Sequence, residues 1–342
     1  EEIYRAVGLF QPQPGEKIRD LIKSTYAVRH LISSPLERDV VYLARIEGDF
    51  KIQENIYGYC NPKSSTGRND THVRVLVDST PRFDSVPAGH EGEIWLAIIP
   101  KSFPVKLFKG LGLSQLRLFS ADTRFDEVTL EREMGKEDSG LLWTPKGKRI
   151  SYKDIRITDK DGSLLLSADL TPRLLATIKG KEIWGVGWEA RGSNNIFDFS
   201  RKDHPISGYF EPIQLENGYV YLRKGSFYIL TTFEFVYVPP YLACEMVPMD
   251  ERSGDFRSHY AGFIDPGWGF KEREEGGRGR PLTLEVRPFE DMILRPGQAI
   301  AKTKFEQMRR VPDQHYDELD TSNYKEQRVA LLSKHYASAH SR

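Results

Sequence analysis

The stretch Gly218–Thr232 reads GYVYLRKGSFYILTT. Two short runs of Val, Tyr, Phe, Ile and Leu flank a Gly-bearing turn, which is the signature of strands joined tightly. The same texture recurs at Glu93–Ile99 (EIWLAII) and Leu282–Val286 (LTLEV). Aromatic residues make up 11% of the chain, and 28 Gly and 20 Pro punctuate its apolar runs. The chain is therefore expected to be mostly β. Helical patterns are expected only over 16–32 and 323–336. No strands alternate with long helices, which argues against a parallel α/β fold.

A length of 342 residues fits two domains or one large one, with ample material for a core. The 49 basic and 49 acidic residues cancel, which argues against a generic DNA-coating protein and leaves room for a local basic pocket around one phosphorylated ligand. No nucleic-acid partner is expected. No apolar run approaches the length of a membrane span, and the N-terminal residues show no signal pattern, so neither a membrane nor secretion is expected. Two cysteines, Cys60 and Cys244, exclude a disulfide framework and a CxxC-type zinc site. A reducing cytoplasm is the expected compartment.

The chain repeats itself. Cys60 precedes Arg68 by eight positions, and Cys244 precedes Arg252 by eight. Each pair sits in the same order of events. An aromatic strand (Ile56–Tyr59; Tyr237–Leu242) leads to a turn with Pro62 or Pro248, the Arg and a β-run. An acidic–Pro–Gly turn follows (Asp84 to Gly89; Asp265 to Gly267), then an apolar strand, a Pro/Phe corner and a Gly-led closing strand. Shared order over this length reads as duplication.

Three places carry candidate chemistry. Residues 62–68, PKSSTGR, bring Ser64, Ser65 and Arg68 together in a strand-to-turn setting, where hydroxyls and a guanidinium can meet phosphate oxygens. This is not a Walker loop, because G-x-x-x-x-G-K-[ST] is absent. Residues 259–269, HYAGFIDPGWG, run a strand into a tight Asp-Pro-Gly turn whose exposed backbone can hydrogen-bond a flat polar ring. Glu285 interrupts an apolar strand. Facing inward, it would be desolvated and suited to moving protons; alternating outward with Thr283, it would simply be solvated. Both readings stand at this point. Glu91 and Glu93 read as exposed hairpin charges, with the alternative that they supply a carboxylate beside the Ala97 strand, and His335 and His340 as polar-tail residues with ordinary surface roles. Residues 270–280 have the composition of a solvated hairpin tip.

The strings PKSSTGR, AGFIDPGWG, TLE at 283–285 and the pair Gly297-Gln298 resemble dCTP deaminases of the dUTPase-like superfamily, in their long form with two tandem lobes. The resemblance implies an all-β fold of two dUTPase-like (β-clip) distorted barrels with few short helices. It implies residues 1–120 as the first lobe, 121–205 as a connector with the opening hairpins of the second, 206–310 as the second lobe, and 311–342 as a tail that closes over the nucleotide. It implies hydrolytic deamination of dCTP to dUTP and ammonia without zinc, by a homo-oligomer, most simply a trimer. Magnesium would be bound through the substrate triphosphate. Carried over by position, Ser64, Ser65 and Arg68 would bind triphosphate. Glu285 would activate water at cytosine C4, and the backbone of Ala261 would help hold that water. Asp265 and Gln298 would face the nucleotide, with Tyr316, Tyr324 and Gln327 closing the site.

The sequence departs from that pattern. The first lobe carries Ala97 where the Glu belongs, and the second reads Pro248-Met249-Asp250-Glu251-Arg252 in place of SSxxR, keeping only Arg252 as a phosphate candidate. The tail has Asn323 where the family usually has Lys. Neither lobe is complete alone, so a site shared by the two halves is the expectation. The rivals are a dUTP diphosphatase, a bifunctional deaminase/diphosphatase and an inactive dCTP/dUTP-binding sensor.

Overall fold

The computed structural model describes residues 2–137, 140–155, 158–250, 252, 254, 256–258, 262–272 and 276–337, with 256–258 as backbone only. It is built from short strands with three short α-helices among the described residues. The chain divides into two compact units. The first comprises residues 1–122, 191–209 and 333–337; the second comprises 123–190 and 210–332. The stretch 121–205 therefore serves both units. It supplies the second with helix α3 (Glu127–Gly135) and the strands from Leu142–Trp143 to Trp188–Ala190, and returns to the first at Arg191.

The first unit has a five-stranded antiparallel sheet in the order Val28–His30, Ile3–Ala6, Val41–Arg45, Ile94–Pro100, Thr71–Val77. A second sheet runs Ser114–Phe119, Tyr57–Pro62, Ser85–Val86. Helix α1 (Ile18–Ser24) buries Ile18 and Ile22, one turn apart, against Leu43, Leu76, Trp95 and Ala97. The helical pattern expected over 16–32 thus stops at Ser24. Tyr26 turns left-handed (φ 54°), and Val28 leaves to pair with Arg5 on the sheet edge. Strand pairing outweighs the weak helical periodicity of the β-branched end.

The second unit repeats the arrangement. Leu242–Val247 lies between Ala299–Gln307 and Phe263–Ile264, as Tyr57–Pro62 lies between Ser114–Phe119 and Ser85–Val86. Arg280–Pro288 lies between Tyr228–Val236 and Phe256–Ser258, as Ile94–Pro100 lies between Val41–Arg45 and Thr71–Val77. All these pairs are antiparallel, so the duplication holds at the level of the ladders. The second unit also adds strands, among them Ser163–Ser167, which covers the outer edge of Ala299–Gln307. Its core gathers Leu230, Leu282, Leu284, Val286, Phe305 and Tyr324.

Helix α3 was not expected. Its signals are present in retrospect: Asp126 accepts the backbone N–H of Thr129 at 2.8 Å, and Leu130 and Met134 bury one face. The helix expected over 323–336 is absent. The segment runs instead through turns, held by bonds to other segments: Gln327 to the Pro281 carbonyl, the Ala330 carbonyl to Trp188 and Ser333 to the Ser65 carbonyl. No helix among the described residues is long and apolar enough to cross a membrane.

Candidate active site

Glu285 sits in the middle of the strand Arg280–Pro288. Alternation sends Leu282, Leu284 and Val286 into the core of the second unit and Thr283 and Glu285 to the other face. That face is not solvent: Glu285 is 2% exposed, and so the outward, solvated reading fails. Across the ladders Glu285 pairs with Ile229, Ile229 with Trp188, and Trp188 with Pro212. Paired residues project to one side, so the carboxylate shares a row with buried Ile229 and Trp188. The tail closes on this strand. Gln327, wholly buried, donates its Nε2 to the Pro281 carbonyl at 2.6 Å, and Trp188 Nε1 donates to the Ala330 carbonyl at 2.9 Å.

The Asp-Pro-Gly-Trp turn is locked to the tail as well. The Gly267 N–H and the Trp268 carbonyl bond Val238, and the Tyr316 N–H donates to the Pro266 carbonyl at 2.8 Å. The Trp268 and Tyr316 rings lie 5.1 Å apart, and the Tyr324 N–H meets the Tyr316 hydroxyl at 3.2 Å. Gly267 adopts φ +82°, and a Cβ there would meet the His315 ring at 2.4 Å, so only glycine fits. Asp265 is exposed at the head of this turn, and Ala261 lies outside the described residues. Gln298 is half-buried in the turn before Ala299–Gln307, its Oε1 accepting the Arg295 N–H at 3.3 Å. Beneath the turn, Arg280 and Asp317 form a buried two-pronged ion pair at 2.6 and 2.8 Å.

In the first unit the PKSSTGR segment folds as helix α2 (Ser64–Gly67). Ser64 is exposed, Ser65 half-buried and Arg68 buried, its N–H closing onto the Ser64 carbonyl at 3.0 Å. The Ser65 carbonyl accepts Asn69 Nδ2 at 2.7 Å and Ser333 Oγ at 3.1 Å. Ser333 brings Lys334 with it. Burial pushes the Lys334 ammonium below the ordinary lysine range, helped by the nearby charges of Lys63 and Lys202. This basic cluster was missed by sequence reasoning, because its members lie far apart in the chain and no spacing signals their approach.

The counterpart of Glu285 in the first unit is filled. Ala97 is buried in one apolar cluster with Ile18 and Ile22 of α1, where a carboxylate would have no polar surroundings. Glu93, half-buried, is engaged by Arg19, Arg45 and Trp95 Nε1, and Glu91 by Lys51. Neither glutamate is therefore available to replace it. Arg252 is 73% exposed in its side chain and is held by Asp250 at 2.8 Å and Asp159 at 3.2 Å, so an anion would have to displace carboxylates to reach it. Both cysteines are buried and in no disulfide, and burial pushes the Cys60 thiol up to about 12.

His335 is not the surface residue its polar surroundings suggested. It is 4% exposed, lies 5.5 Å from the Phe197 ring and 5.4 Å from the Phe199 ring, and its Nδ1 is 2.8 Å from Ser333 Oγ. Burial depresses its pKa to about 4 from the ordinary 6.5. A depressed histidine leaves the folded state short of a proton between those values. Stability should therefore fall as pH drops from ~6.5 toward ~4, by at most ~3 kcal/mol. Denaturation midpoints at pH 7 and 4.5 should differ less in His335→Gln than in the parent; an unchanged difference would show that His335 does not drive the loss.

A duplicated all-β fold, with a buried carboxylate on the central strand of one half and a Ser-Ser-Thr-Gly-Arg turn in the other, defines the dUTPase-like class. Residues 1–122 match the 2'-deoxycytidine 5'-triphosphate deaminase (DCD) N-terminal domain, and residues 148–336 match the C-terminal domain of the same enzyme. The chain belongs to the dCTP deaminase family. Among solved structures, it is similar to the 2'-deoxycytidine 5'-triphosphate deaminase from Agrobacterium tumefaciens, with 31% identity and a TM-score of 0.77 over 91% of this chain and 85% of that one. No curated protein matches.

Proposed function

We propose that the chain converts dCTP to dUTP and ammonia as a zinc-independent hydrolase with Glu285 as the proton-transfer group. The burial of Glu285 carries this reading. Glutamate is among the residues least often fully buried, yet it is 2% exposed beside Ile229 and Trp188, where a carboxylate adds nothing to apolar packing. In this reading Glu285 takes a proton from water as oxygen bonds cytosine C4, and delivers it toward N3 and the leaving ammonia. The Ala261 backbone steadies the water, and Asp265 and Gln298 face the nucleotide. Tyr316, Tyr324 and Gln327 hold the tail against the site.

Ser64, Ser65 and Arg68 bind the triphosphate, and magnesium bound through the substrate would neutralise part of its charge. The neighbouring positive charge of Lys63, Lys202 and Lys334 supports an anion site there. Arg252 contributes only if phosphate releases it from Asp250 and Asp159. We also propose a homotrimer in the cytoplasm. The absence of a disulfide between the two cysteines supports a reducing compartment.

Ser64 is the cleanest probe, because it is exposed whereas Arg68 is buried. Ser64→Ala should weaken dCTP binding roughly tenfold and leave deoxycytidine, which lacks phosphates, unaffected. A chelator that removes zinc but spares magnesium should leave ammonia release intact. Equal binding of dCTP by parent and variant would remove Ser64 from the phosphate site, and activity restored only by zinc would refute the zinc-independent scheme.

A further inference from the structure

Thr283 stands two residues before Glu285 on the same strand and the same face, about 7 Å away along the backbone. It is 7% exposed, and its hydroxyl has no hydrogen-bond partner among the described residues. The threonines on the paired strand behave differently. Thr231 donates to the Leu282 carbonyl at 3.1 Å, while Thr232 accepts the Leu282 N–H at 2.9 Å and donates to the Glu234 carbonyl at 2.8 Å. Among the described residues, these two hydroxyls are thus satisfied and the one beside Glu285 is not. A buried hydroxyl without a partner is costly, and valine would fill the same volume without that cost.

We propose that the Thr283 hydroxyl and Glu285 together hold the attacking water. A water bridges two oxygens about 5.5 Å apart, a spacing within reach of side chains whose backbones stand about 7 Å apart on one strand face when the longer glutamate leans toward the threonine. Thr283 Oγ1 accepts one water hydrogen, Glu285 the other, and the oxygen lone pair is left facing the ring. As the O–C4 bond forms, Glu285 takes one proton and passes it to N3. It then takes the proton of the new hydroxyl, which Thr283 has oriented, and passes it to the amine. The C4–N4 bond breaks, ammonia leaves, and C4 becomes a carbonyl beside N3–H. This inference rests on the assignment of Glu285 to proton transfer.

The test compares Thr283→Val, Thr283→Ser and Glu285→Gln for steady-state kinetics with dCTP and for denaturation midpoint. Thr283→Val should lower kcat roughly 10- to 100-fold, the scale of losing alignment of a reacting group, with KM unchanged. Its midpoint should hold or rise, because the hydroxyl it removes makes no hydrogen bond among the described residues. Thr283→Ser should recover most of kcat. If Glu285→Gln is inactive while Thr283→Val is fully active, the role for Thr283 is wrong and Glu285 stands. If both are fully active, the Glu285 assignment fails first. A raised KM with kcat retained, or activity lost together with stability, would also overturn the proposal.

Discussion

Glu285→Gln should lower the turnover of dCTP by about 10²–10⁴-fold, the usual worth of a positioned general base. The substitution keeps the size of the side chain, exchanges one acceptor oxygen for an NH2 donor, and removes its ability to take a proton. The site is 2% exposed and lies in a row with Ile229 and Trp188, so the neutral amide loses little solvation and the fold should persist. Nucleotide affinity should therefore survive. Ammonia release under saturating dCTP, together with direct measurement of dCTP binding, checks both halves of the expectation. Turnover within a few fold of the parent would exclude Glu285 from proton transfer. Lost binding with lost turnover would instead point to a collapsed strand.

What could be read of this site before the fold was known follows from the range of the interactions involved. The strand around Glu285 was legible because Leu282, Leu284 and Val286 alternate with period two. Whether its other face met water was not legible. That depends on Ile229 and Trp188, brought alongside by strand pairing, and on a tail that reaches the strand through Gln327. The PKSSTGR turn stood out as a motif, but the burial of Arg68 did not. Arg252 looked like its surviving twin until Asp159, 93 positions away, was found to hold it. The duplication was legible because both copies keep the order of their strands. The tail was misread as a helix because Leu, Tyr and Val spaced along a polar stretch satisfy a helical pattern, whereas their actual partners lie in several directions.

Asp317→Ala should cost about 3–5 kcal/mol of stability, the usual penalty for stranding one member of a buried ion pair. Asp317 and Arg280 have side chains only 1% and 3% exposed. Asp317 accepts Arg280 Nη1 at 2.6 Å and Nη2 at 2.8 Å, and its Oδ2 also accepts the Lys271 N–H at 3.1 Å. The guanidinium lies 5.5 Å from the centre of the Trp268 ring, beside the Asp-Pro-Gly-Trp turn. Truncation leaves a cation in a place with little water, and it also frees the tail between Tyr316 and Tyr324 from the strand that carries Glu285. Against a typical total of about 5–15 kcal/mol, that loss is large. The pair itself need not be strongly stabilising, because each charge gave up its hydration to enter the interior. The double substitution Arg280→Met with Asp317→Leu should therefore recover most of what Asp317→Ala loses. Denaturant titration of the parent, the single variant and the double variant measures this directly. A single variant within about 1 kcal/mol of the parent would mean that water reaches Arg280 when Asp317 is gone, and that the tail is held by Gln327 and the Tyr316 contacts instead.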